Sequence, residues 1–243
     1  ISKEEKDSLQ NLPLKINFTP ESHNDGLATY FREYLRGYLK KWVKNNPKPN
    51  GDSYNINRDG LKIYVTLDSR MQQYAQEAVQ EHMSNLQSYF FKEQQKNETA
   101  PFYDLEEEQI DGIYQRARKR SDRYRRMKKN GYSVKQIDSA FNASTEMRVF
   151  SWNDQREIDT IMSPNDSIKY YKTILRSGLL SIEPQTGQIK AWVGGINHKY
   201  FKYDHVEQGK RQVGSTFKPF VYATAINQLS LSPCEKFSNT PYT

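Results

Sequence analysis

The sequence predicts an α+β protein that is mostly helical and carries a small antiparallel sheet. Three observations predict it. Long stretches up to about residue 178 repeat apolar residues at helical spacing. One pair of short apolar runs, Leu179–Ile182 and Ile189–Val193, flanks the turn signal Pro184-Gln185-Thr186-Gly187 and reads as a β-hairpin. After a polar loop comes a helix that is apolar nearly all round, formed by Phe217, Phe220, Val221, Ala223, Thr224, Ala225 and Ile226.

Taken in order, residues 1–20 read as an irregular tail with Pro13 and Pro20. Residues 25–45 form an amphipathic helix along Leu27, Tyr30, Phe31, Tyr34, Leu35, Tyr38, Leu39, Trp42 and Val43, with Asn24 or Asp25 as its cap and Pro47 as its end. That aromatic stripe reads as packing. Leu61, Ile63, Val65 and Leu67 alternate with Lys62, Tyr64 and Thr66 and predict a half-buried strand. Asp68 caps a helix from about 69 to 93 with a stripe of Met71, Tyr74, Ala75, Ala78, Val79, His82, Leu86 and Phe90, on which His82 reads as packed.

Residues 105–129 carry acids first, Glu106 to Glu108, and then a run of bases from Arg116 to Lys129. That order suits one helix tuned to its own dipole, with Ile110, Ile113, Tyr114, Ala117, Tyr124 and Met127 on its apolar face and Asn130-Gly131 as its stop. Ser133 and Gln136 form a capping box for a helix through Phe141. Residues 147–152 read as a short strand, and Ser163-Pro164-x-Asp166 opens a helix that runs to about Ser177 and ends at Gly178.

The whole chain has 243 residues, 35% of them hydrophobic, and a net charge of +7. Its mean hydropathy of −0.94 predicts a large polar surface, and the basic balance predicts an anionic partner such as nucleic acid, lipid headgroups or an acidic cell wall. The single Cys234 excludes an internal disulfide framework and reads as a small, at least half-buried thiol. Four scattered histidines give no metal spacing, and no cofactor motif occurs. No apolar run is long enough to span a membrane, and Ile1 opens no signal peptide, so the chain reads as an internal piece of something longer.

The chemistry concentrates at Arg211 to Phe220. Ser215 is the only serine followed three residues later by a lysine, Lys218. On a helix these positions share a face. A serine hydroxyl needs an adjacent base to become a nucleophile, and a lysine serves as one only where its surroundings lower its pKa. The bland reading makes Ser215 a helix cap and Lys218 a solvated charge. Against it stand Gly214, which lets the backbone come close, and the apolar helix that follows.

Gly214-Ser215-x-Phe217-Lys218-Pro219-Phe220 resembles the nucleophile motif of the transpeptidase domain of class A, bifunctional penicillin-binding proteins. The hairpin Glu183-Pro184-x-Thr186-Gly187-x-Ile189 and then Val193-Gly194-Gly195 stand in the order in which that domain opens. Asn24 to Arg32 and Asp59 to Gln72 are similar to the segment that links the family's two catalytic domains.

The resemblance implies a tail after the glycosyltransferase domain over 1–20, a helical linker with a short strand over 21–178, and the N-terminal part of a transpeptidase domain over 179–243. It implies Ser215 as the acylated nucleophile, Lys218 as its proton partner, no metal for this step, and peptidoglycan stem peptides and β-lactams as what the site meets. It places the parent at the outer face of the bacterial cytoplasmic membrane, in the periplasm, anchored by a segment outside this chain.

Two motifs that the family needs, Ser-x-Asn and Lys-Thr-Gly, do not occur after Ser215. Nor can a two-stranded hairpin bury the Ser215 helix alone. This polypeptide is therefore expected to be inactive by itself. The rival reading is a non-enzymatic docking module for cell-wall polymer or a regulatory protein. The basic stretch 116–129 suits an anionic wall polymer or lipid surface better than nucleic acid.

Overall fold

The computed structural model describes residues 2–12 and 22–236 and is α+β, with helices dominating two small antiparallel hairpins. The chain divides into two compact units, one up to Glu207 and one from Gln208.

In the first unit, α1 (Lys3–Gln10), α2 (Thr29–Asn45) and α3 (Ser69–Gln94) precede α4 (Glu107–Arg120), α5 (Asp122–Lys129) and α6 (Val134–Asn142). Strand β1 (Thr145–Phe150) then pairs antiparallel with β2 (Glu157–Met162), α7 (Pro164–Thr173) follows, and β3 (Leu179–Ile182) pairs antiparallel with β4 (Ile189–Val193). The expected capping box of α6 forms, and so do the caps of α3 at Asp68 and of α7 at Ser163. The hairpin β3–β4 falls on the predicted residues, with Gly187 at φ +71° in its turn.

The core lies where α3 packs on β4. Ala75, Val79 and Met83 from α3 meet Ala191, Val193, Ile196 and Phe201, and Phe150, fully buried at the end of β1, closes the group together with Ile174. Phe150 packs edge-on to Trp152 and Phe201, both at 5.1 Å between ring centroids. A second centre is built around Phe141, with the Arg118 guanidinium 4.6 Å from its ring and paired to Asp138.

Several expectations are corrected. The tail holds a helix, α1, because Ser2 and Glu5 cap each other, Ser2 N–H donating to Glu5 Oε2 at 2.8 Å and Glu5 N–H to Ser2 Oγ at 3.1 Å. Its Pro13 and Pro20 lie outside the described residues. Helix α2 starts at Thr29 rather than near 25, since Asn24 Oδ1 is occupied by His198 and Lys202. Of its aromatic stripe only Tyr30 is buried, while Tyr38 and Trp42 are exposed.

Residues 61–67 form no strand and join no ladder, and Tyr64 is 90% exposed. Only Thr66 Oγ, donating to Ile189 O at 2.8 Å, and Asp68 N–H, donating to Lys190 O at 3.0 Å, reach β4; further along the strand Gln72 holds Trp192. His82 is exposed, not packed.

The basic helix is two helices broken at Ser121, whose backbone is extended and whose Oγ caps α5 by accepting from Tyr124 N–H. Helix α7 ends at Thr173 rather than Ser177, because Gln87 takes the Thr173 carbonyl and the Leu175 N–H. Cys234 is exposed. Among the described residues no helix is long and apolar enough to cross a membrane.

Candidate active site and its scaffold

In the second unit, Gly214–Phe217 form a 3₁₀ turn that runs into α8 (Lys218–Leu229). Gly214 takes a left-handed φ of +51°, and the Lys218 N–H closes the turn on the Ser215 carbonyl. In a 3₁₀ helix residues i and i+3 eclipse, so the backbone sets the two candidate side chains on one edge. Pro219 fits in the first turn of α8, where its missing N–H costs nothing.

The enclosure expected from the apolar sequence is absent among the described residues. No residue of α8 is buried: Phe220, Val221, Tyr222, Ile226 and Leu229 are all at least 48% exposed. Ser215 and Lys218 are exposed as well. The structure thus sets Ser215 and Lys218 on one turn without burying either of them.

The first unit holds the hairpin that precedes this pair in sequence. Gln72 grips β4 from the side, accepting from Trp192 N–H at 2.7 Å and donating to the Trp192 carbonyl at 2.9 Å. One side-chain amide thereby replaces a neighbouring strand.

Four glutamines on α3 work this way. Gln76 accepts from Ala28 N–H at 3.0 Å, Gln80 donates to the Ile196 carbonyl, and Gln87 holds the end of α7. They tie α2, β4, the segment after the hairpin and α7 to one helix. The hydrophobic stripe expected on α3 does not contain them. The sequence signal was their spacing at 72, 76 and 80, which puts amides on one helical face.

Gly194-Gly195 leaves the hairpin past Tyr30. A Cβ on Gly195 would lie 2.4 Å from the Tyr30 hydroxyl oxygen, and one on Gly194 would lie 2.4 Å from Asp204 Oδ1. Both glycines are needed for close approach. Tyr30 donates to the Phe201 carbonyl at 2.6 Å, and burial pushes its pKa up. Asp204 accepts from Trp192 Nε1 at 2.9 Å and from the backbone N–H of Val206 and Glu207.

Beside this junction lies a cleft of about 390 Å³ lined by Asn24, Gln76, Gln80, Arg156, Glu157 and His198, among others. Loss of hydration, then the Lys202 charge, holds the His198 pKa below its ordinary value. Among the described residues no group of histidine, cysteine and carboxylate side chains is arranged to hold a metal.

Residues 97–175 match the penicillin-binding protein middle domain. The chain is 25% identical over 206 residues to penicillin-binding protein 1A of Aquifex aeolicus, covering 81% of this chain and 26% of that protein. It is 42% identical over 52 residues to penicillin-binding protein 1A of Pseudomonas aeruginosa and 43% identical over 54 residues to that of Escherichia coli; each match covers about a fifth of this chain, 21% and 22%, and 6% of the relative. The chain therefore spans about a quarter or less of the curated relatives it matches. No solved structure matches it.

Proposed function

On the premise that this chain carries the linker region of a class A penicillin-binding protein, we propose that it is a piece of a peptidoglycan synthase whose transpeptidase nucleophile is Ser215. Ser215 Oγ attacks the penultimate D-alanine carbonyl of a stem peptide, and Lys218 takes the hydroxyl proton. The terminal D-alanine leaves as its amine receives a proton. The amine of a neighbouring stem then attacks the ester, makes the cross-link and returns the hydroxyl to Ser215. β-Lactams acylate the same oxygen.

Glycan polymerisation belongs to a domain outside this sequence. The work is done at the outer face of the bacterial cytoplasmic membrane, with the anchor in another segment. In this reading residues 1–20 follow the glycosyltransferase domain, 21–178 are the linker and 179–243 begin the transpeptidase.

The observation that carries the reading is the 3₁₀ turn closed between Ser215 and Lys218 at the head of an apolar helix. The exposure of α8 supports the further reading that this polypeptide does not acylate by itself. A fluorescent penicillin tests both. This chain stays unlabelled, whereas a polypeptide extended with the rest of the domain is labelled, and Ser215→Ala abolishes the label. An extended, folded polypeptide that takes no label fits the docking reading instead, in which basic residues of 116–129 contact an anionic wall polymer or lipid surface.

A further inference from the structure

Helix α4 packs on α7, and the Lys169 Nζ sits 5.9 Å from the centroid of the Tyr114 ring. Further toward the end of both helices, Lys172 has Arg176, Arg120 and Arg116 as electrostatic neighbours. Lost hydration and then those three charges hold its pKa below the ordinary lysine value.

The acids nearest in sequence are engaged elsewhere. Asp122 pairs with Arg125, Asp138 with Arg118, and Asp166 accepts from Ser163 Oγ at 2.6 Å, while Asp111, on α4 before Arg116, lies beside Tyr114. Among the described residues Arg116, Arg120 and Lys172 make no ion pair. Arg176 is held by stacking at 4.7 Å on Phe201 and by donating to the Tyr171 carbonyl at 3.3 Å, neither of which neutralises it. Two helix C-termini offset about one charge in all, against four cations. All four are exposed, and with α4 packed on α7 the three arginine charges act on Lys172.

Helix α5 adds Arg123, Arg125, Arg126, Lys128 and Lys129, so that residues 116–129 hold nine basic residues and one acid.

We propose that the adjoining ends of α4 and α7 are a seat for the phosphate groups of an anionic polymer, with Arg116, Arg120, Lys172 and Arg176 as donors and α5 as the track for the following repeats. The inference rests on the cell-wall reading above and gives its basic face a ligand chemistry. Arginine forks match phosphate oxygens two at a time, and nine basic residues within 116–129 offer a polyanion many contacts at once.

The test is titration of this chain with long-chain inorganic polyphosphate, followed by anisotropy across a salt series. Polyphosphate binds, Lys172→Ala weakens it about tenfold with a shallower salt slope, Lys172→Arg restores it, and the circular dichroism of all three is the same. Equal binding by the wild type and Lys172→Ala overturns the seat. Tighter binding of polyglutamate or of phosphatidylglycerol vesicles overturns the ligand class, and tighter binding of single-stranded DNA overturns the wall polymer as its source. Penicillin labelling of the extended polypeptide reads the cell-wall assignment separately, and Lys172→Ala leaves it unchanged.

Discussion

Helix α3 and helix α8 solve opposite problems. Helix α3 buries two glutamines, Gln72 and Gln87, among its apolar residues, and each buried amide meets backbone groups of another segment. Helix α8 has far fewer polar positions and buries nothing. Burial follows from available partners, not from hydrophobicity alone: an amide with complementary groups goes inside, and an apolar helix without a surface to meet stays out.

Substitutions sharpen that contrast, beginning with the core. Phe150→Ala removes a ring with no exposed surface and lowers unfolding stability by about 3–5 kcal/mol in chemical denaturation. Gly195→Ala drives a methyl into the Tyr30 hydroxyl and ring and costs about 1–3 kcal/mol. Gln72→Leu keeps the volume but strands the N–H and carbonyl of Trp192, for about 1–3 kcal/mol by the same assay. Ile226→Ser on α8 changes stability by less than about 0.5 kcal/mol; a loss as large as that of Gln72→Leu would break the comparison.

A smaller effect depends on pH. The folded His198 pKa lies below its unfolded value, so the unfolded chain binds the extra proton first. This contribution is fully present above about pH 6.5 and is lost as pH falls through the lower folded pKa. His198→Gln flattens a denaturation midpoint measured from pH 7.5 to 5, and an unchanged slope in the variant would assign the dependence elsewhere.

Much of this was legible in the sequence. Hairpin β3–β4, the caps at Asp68, Ser133 and Ser163, and the apolar face of α4 and α5 announce themselves through turn residues, short polar caps and periodicity. The glutamine grips were not legible, because an amide reads as solvent-facing until the backbone it bonds is known. The same blindness moved the end of α7 and the start of α2. The alternating residues 61–67 read as a strand because alternation says nothing about whether an edge is free to pair with. The spacing of Ser215 and Lys218 was plain, but their enclosure depends on surfaces distant in sequence, as does the gathering of Arg116, Arg120, Lys172 and Arg176.

The most direct measurement is amide hydrogen exchange on this chain, read peptide by peptide. The account predicts slow exchange across Leu179–Val193, held by β3–β4 and Gln72, and exchange within seconds across Lys218–Leu229, a short helix with no buried side chain. Protection of residues 218–229 equal to that of the hairpin would contradict it, because α8 would then be covered by this chain alone.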